Sequence, residues 1–303
     1  MELLGRYQNG NYTVSIYDDG TKVRENDLDC FCPDYPESID LKITNYCTRG
    51  CEYCHENSTA DGKAADLASL DFLATMLPYT EVAIGGGNPL SHPDLIPFLK
   101  ALRGYKLIPN MTVNQKDFLT NRSLLQILTE QGLIFGLGVS YIPCTRDEHD
   151  MLVAALKEFP NAVIHVINGI IKVGELKSLA WNDFKLLILG YKDFRRGSEY
   201  RVGHMEQVAF HKYELWSQLD QIIRSGWFGA VSFDNLAIKQ LDVDRMMSKA
   251  AWSEFYMGDD GAHTMYIDGV NREFAVSSVS KERHPITGDI KEMFDVVKAT
   301  AKR

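Results

Sequence analysis

Between residues 38 and 226 the sequence repeats one pattern six times: a short apolar strand, a loop, then an amphipathic helix. SIDLKI, EVAIGG, NMTVN, LIFGLGVSYI, AVIHVINGII and KLLILGY read as strands. Stretches such as HPDLIPFLKALRGY, NRSLLQILTEQG and RDEHDMLVAALKEF follow them with apolar residues at helical spacing. Strands that alternate with helices form a parallel sheet with right-handed crossovers. Units of about 31 residues have the size found in (β/α) barrels, and eight would close one. Six predict an α/β fold with a partial (β/α)6 TIM-type barrel, a doubly wound sheet being the alternative. Residues 1–36 predict a small β hairpin and linker, because TVSIYDDGTKVRE alternates around Asp18-Asp19-Gly20. The barrel core is then 37–240. Residues 241–303 predict a C-terminal α+β appendage: a hairpin across Asp268-Gly269, then a helix with Ile290, Met293, Phe294 and Val297 on one face.

The 303 residues carry a net charge of −9, which disfavours a nucleic-acid partner that recruits through a basic field. The most basic stretch, Lys192 to Arg201, is interrupted by Asp193 and Glu199 and reads as a solvated loop. No apolar run is long enough to span a membrane and the N-terminus has no signal pattern, so a cytoplasmic location is expected.

Three of the six cysteines stand close together: Cys47, Cys51 and Cys54, spaced C-x3-C-x2-C on the loop after the first barrel strand. Barrel chemistry sits at that face. Three thiolates on one loop can hold three irons of a [4Fe–4S] cluster and leave the fourth open. With His55 directly following, the same residues offer a Cys3His zinc set. The second strand ends in Gly85-Gly86-Gly87-Asn88-Pro89, glycines that permit close backbone approach.

Taken together, Cys47, Cys51, Tyr53, Cys54 and the run Gly86, Gly87, Pro89 resemble the radical S-adenosylmethionine (SAM) superfamily, whose signatures are C-x3-C-x-aromatic-C and Gly-Gly-Glu-Pro. Asn88 stands where that family carries Glu. The resemblance implies an enzyme with Cys47, Cys51 and Cys54 as metal ligands. It implies SAM held near Tyr53, Gly86, Gly87, Asn88 and Pro89, with Asn114, Ser140, Asn168, Gly190 and Tyr191 at later strand ends. It also implies reductive cleavage of SAM to a 5′-deoxyadenosyl radical, an electron donor such as flavodoxin or ferredoxin, and hydrogen abstraction from a substrate. A tail without cysteines fits a small molecule or a peptide segment. Cys144, past the fourth strand, is the one candidate for a further catalytic group, a buried unreactive thiol being the alternative. Cys30 and Cys32 lie before the first barrel strand, toward the opposite face. A non-catalytic metal-binding scaffold is the competing class.

Overall fold

The computed structural model describes residues 1–28 and 30–302. The chain opens with an antiparallel sheet of β1 (Leu3–Asn9), β2 (Tyr12–Tyr17) and β3 (Lys22–Glu25). The expected hairpin is β2–β3; β1 joins it through a turn at Gly10, whose φ is +59°. This sheet covers the N-terminal end of the barrel strands. Asn161 donates to the Asp18 carbonyl and Lys185 to that of Asp19. Tyr12 and Arg24 both bond Glu37, just before the first barrel strand. Cys32 pairs with Asn11 there, with its Sγ 3.9 Å from that of Cys30.

The parallel core then runs β4 (Ser38–Thr44), β5 (Glu81–Gly86), α1 (Leu95–Gly104), β6 (Ile108–Asn114), α2 (Gln115–Thr120), α3 (Arg122–Glu130), β7 (Leu137–Ser140), α4 (Arg146–Leu156), β8 (Ala162–Ile167), α5 (Val173–Leu179), β9 (Lys185–Leu189), α6 (Arg196–Gly203), α7 (Met205–Arg224), β10 (Ala230–Phe233) and α8 (Asn235–Leu241). The six expected strands are present, in sequence order within the sheet, and β10 adds a seventh. Between β4 and β5 the expected helix is instead a kinked 3-10 segment, Leu67–Thr75. Helix α3 ends at Glu130, and Gly132 follows at φ +60°. A capping box of Thr145 and Glu148 starts α4.

The tail supplies α9 (Lys249–Phe255), β11 (Thr264–Asp268), β12 (Glu273–Ala275), β13 (His284–Pro285) and α10 (Ile290–Ala301). Its strands extend the same sheet: β11 pairs in parallel with β4 from Ser38 to Lys42, giving the order β10-β9-β8-β7-β6-β5-β4-β11-β12-β13. Ile290, Met293, Phe294 and Val297 are all buried, as the spacing of α10 predicts.

Eight neighbouring strands, β10 through β11, are thus parallel. Laid flat, the outer two would stand seven spacings apart, about 33 Å. Yet Asn235, directly after β10, donates to Asp260, four residues before β11, at 2.8 Å. The sheet therefore curls until its edges face each other. The segment before β11 straps the gap, with Arg24 holding the Met257 carbonyl and His263 beside Glu37.

Alternation along the strands separates two faces. Ile39, Leu41, Ile43, Val82, Ile84, Met111, Val113, Leu137, Val139, Ile164, Val166, Leu186 and Ile188 pack in one core with the helices. The other face carries Asp40, Lys42, Ala83, Gly85, Asn110, Thr112, Gly138, Ser140, His165 and Ser232. Barrels of this kind usually fill their interior with bulky branched residues; here many inward positions are small or polar, with Val163, Leu187 and Leu189 among the apolar ones on β8 and β9.

Candidate active site

The cysteine loop leaves the C-terminal end of β4. The Cys47 N–H donates to Thr59 and the Cys54 N–H to Cys51, while Gly50 turns the loop with φ +65°. All three thiols are half-buried. Burial raises the Cys47 thiol pKa, with Asp117 and Cys54 adding to it; burial and then Cys54 and Cys47 raise that of Cys51. These sulfurs repel one another as thiolates, which a cationic iron–sulfur core relieves. Among the described residues no three His, Cys, Asp or Glu side chains gather around one ion position. A tetrahedral zinc site requires such convergence. A cubane cluster does not, since each thiolate takes its own iron. His55 is engaged elsewhere: its Nε2 lies 3.4 Å from Glu56 and 3.3 Å from Lys192. The three thiols therefore fit the cluster, and His55 is not poised to complete a zinc set.

Two buried ionic groups brace this loop, and neither was singled out from the sequence. Arg49, between the first two cysteines, pairs with buried Asp117 in the first turn of α2 through two bonds, 2.6 and 3.0 Å. Glu56, two residues past Cys54, meets Lys42 at 2.9 Å, Arg195 at 3.8 Å and the Tyr266 hydroxyl at 3.3 Å. Lys42 also pairs with Asp268 of β11. Burial pushes the Glu56 carboxyl up, but His55 and Lys42 outweigh it and hold it far below the usual range. The signal for this inner polar face was present in β4, where Asp40 and Lys42 alternate with Ile39, Leu41 and Ile43. The basic stretch 192–201 is not a solvated loop. Lys192 bonds Ser278, Arg195 the Glu56 carbonyl and Arg196 that of Ser58, so it clasps the cysteine loop.

The glycine loop lies against the same strand end. Gly87 N–H donates to Thr44 and Asn88 N–H to Tyr46. A Cβ on Gly86 would stand 2.5 Å from the Thr44 carbonyl oxygen, and one on Gly87 2.2 Å from that of Tyr46. Gly85 has nothing within 4 Å. These glycines admit the β4 backbone rather than leaving an empty cradle. Asn88 uses its Oδ1 to cap the turn Pro89–Ser91 and donates its Nδ2 to Asp117 at 3.1 Å. Buried Pro89 is the first residue of that turn.

The remaining expected residues divide. Asn114 caps α2 and its Nδ2 lies 3.9 Å from the Cys51 Sγ, which places it at the cysteine loop. Ser140 stands opposite Asn114 in the ladder. Asn168 is fully buried, bonds Gln240 through Nδ2 and leaves Oδ1 without a partner. At Gly190 and Tyr191 the amides are already taken, by Asp234 and Gln240, and the Tyr191 carbonyl accepts from Gln240. Tyr53 packs edge-on against Tyr200, beside Ile170, Tyr191 and Val208. Cys144 packs on the core, near Tyr141.

One inward residue escaped the sequence reading. His165 of β8 aligns with Ser140 on one side and Leu187 on the other, in a row that runs from Asn114 to Ser232. A Cβ on Gly138 would stand 2.4 Å from its Cε1, so that glycine makes room for the ring. Enclosure by protein lowers its pKa to about 4, so the ring is neutral near pH 7. Beyond Ser232 a cavity of about 490 Å³ opens along the outer edge of β10, lined by Phe233, Met246, Met247, Trp252, Phe255 and Tyr256 among others.

A parallel α/β sheet with three cysteines at the end of its first barrel strand defines a class, and comparison with known proteins agrees. Residues 41–159 match the family model of the radical SAM superfamily. PqqA peptide cyclase of Gluconobacter oxydans (strain 621H) is 27% identical over 106 residues, 33% of this chain and 29% of that protein. A probable GTP 3′,8-cyclase of Pyrococcus abyssi (strain GE5 / Orsay) is 26% identical over 100 residues, 32% of each. The chain thus spans less than a third of the length of either relative. The crystal structure of Streptococcus suis SuiB bound to precursor peptide SuiA shares the fold at TM-score 0.58 and 14% identity, covering 89% of this chain and 67% of that one. SuiB bound to S-adenosylmethionine gives TM-score 0.57, again at 14% identity, with 89% and 68% covered. Among the described residues no helix is long and apolar enough to cross a membrane.

Proposed function

We propose that this chain is a radical SAM enzyme in which Cys47, Cys51 and Cys54 hold a [4Fe–4S] cluster and the loop Gly86–Pro89 receives the methionine end of SAM. When bound, the pair supplies one-electron cleavage of SAM to methionine and a 5′-deoxyadenosyl radical, which takes a hydrogen atom from substrate. The chain's own residues prepare that chemistry. Arg49–Asp117 and Lys42–Glu56 fix the cysteine loop, Asn114 donates toward Cys51, and the small or polar inward positions leave room for substrate below the loop. The observation that carries the reading is the ionic bracing of a three-cysteine loop directly against the glycine loop.

For the substrate, a peptide segment is preferred to a free metabolite. The cavity beside β10 adjoins an unpaired strand edge, and extended peptides dock on such edges. A peptide cyclase and a protein crystallised with a precursor peptide stand among the similar proteins. A flavodoxin- or ferredoxin-type donor and a cytoplasmic setting, which keeps thiols reduced, complete the proposal.

The test is anaerobic reconstitution with iron and sulfide, then dithionite and SAM. Formation of 5′-deoxyadenosine and methionine in equal amounts is expected. Iron-loaded protein that leaves SAM intact would support the scaffold class instead.

A further inference from the structure

Position 88 lacks a carboxylate, and the structure shows where one stands instead. Asn88 is neutral, and both ends of its amide are committed: Oδ1 to the Leu90 N–H and Nδ2 to Asp117 Oδ1. Asp117 is buried and reaches the glycine loop from α2, while Arg49 ties it to the cysteine loop. Among the described residues it is therefore the one side chain that touches both loops of the candidate site with a formal negative charge.

A carboxylate offers about four acceptor positions. Asp117 uses three, two on Oδ1 for Arg49 and Asn88 and one on Oδ2 for Arg49. One position on Oδ2 is unfilled. The SAM amino group, an ammonium in solution, is a donor of matching charge, and charge-assisted bonds are the strong ones. Two other carboxylates near the loop are already spent: Glu56 and Asp268 share Lys42.

We propose that Asp117, delivered from α2 and aimed by Asn88 and Arg49, is the carboxylate that binds the SAM amino group, replacing one on the glycine loop. This rests on the radical SAM reading above. Arg49 is a positioning residue in this arrangement, and Asn88 aims the carboxylate without carrying the charge.

The experiment measures binding of two probes by calorimetry to reconstituted, iron-quantified protein: SAM, and its analogue in which a hydroxyl replaces the amino group. In the parent, SAM binds more tightly than the analogue. Asp117→Asn is expected to weaken SAM at least tenfold and the analogue less than twofold. Arg49→Met keeps the carboxylate and removes its clamp, and at equal iron content is expected to weaken SAM while keeping the preference for SAM over the analogue. Asp117→Glu, which retains the charge, preserves the preference for SAM and serves if Asp117→Asn loads no iron. Equal weakening of both probes by Asp117→Asn, or loss of the preference in Asp117→Glu, would overturn the assignment. A parent protein that binds iron but not SAM would instead sink the functional reading itself.

Discussion

Arg49 grips Asp117 with two nitrogens, 2.6 and 3.0 Å from its two oxygens, and so fastens the segment between the first two cysteines to a helix 68 residues further on. Removing the guanidinium leaves a buried carboxylate with Asn88 alone. Arg49→Ala is expected to lower the stability of the cluster-free protein by about 1.5–3 kcal/mol, the worth of hydrogen bonds to a charged group. Denaturant unfolding checks this. The loaded variant is also expected to release iron to a chelator faster than the parent.

Single replacements of Cys47, Cys51 or Cys54 by Ala are expected to abolish most iron binding, against about four irons for the parent, the content of a cubane cluster. Cys30→Ala and Cys32→Ala, at the opposite end of the barrel strands, are expected to leave it unchanged. Iron analysis and visible absorbance decide the matter. Retention of zinc alone by the parent would contradict the cluster.

The glycines are not equivalent. Gly85→Ala meets open space and is expected to bind SAM as the parent does. Gly87→Ala drives a methyl to within 2.2 Å of the Tyr46 carbonyl oxygen, and backbone cannot yield there cheaply. SAM affinity is expected to fall at least tenfold in that variant alone, by calorimetry.

His165 makes stability depend on pH with a defined sign. Its folded pKa is lowered to about 4 from 6.5, so the unfolded chain takes up the proton first as pH falls. Its contribution is intact above about pH 6.5 and is lost between there and pH 4, by at most about 1.4 kcal/mol per pH unit for one proton. The unfolding midpoint of cluster-free His165→Gln is expected to be flatter across this window than that of the parent. An identical slope in both would remove His165 from the account.

Deleting residues 251–303 removes β11, which pairs with β4 and supplies Asp268 to Lys42. It also removes the buried face of α10. The truncated chain is expected to lose cooperative unfolding and iron binding together, as circular dichroism and iron analysis will show.

The sequence already displayed the six strand–helix units, because apolar periodicity is a local signal, and the cysteine and glycine loops, because their spacing is. The place of β11 was hidden: a strand pairing in parallel more than 200 residues from its partner leaves no mark in its own residues. Arg49, Glu56, Lys42 and Asp117 were legible only as charges, since an ion pair is defined by two distant positions at once. The 3-10 segment Leu67–Thr75 has helical spacing but breaks at Leu70, where φ and ψ leave the helix. Gly190 and Tyr191 sit at a strand end as expected, yet Gln240, from a helix beyond the assumed core strands, occupies their amides.

The bond from Asn235 to Asp260 closes the barrel wall by a strap of chain, not by a ladder of strand hydrogen bonds. A ladder would seal the wall and force every visitor to enter end-first from the rim. A strap held by a handful of polar contacts leaves that wall without a ladder, and on the peptide reading proposed above substrate would enter there sideways. For a polymer this changes which positions can react: a residue far from either terminus can be laid into the chamber as a loop, with both flanking segments trailing outside.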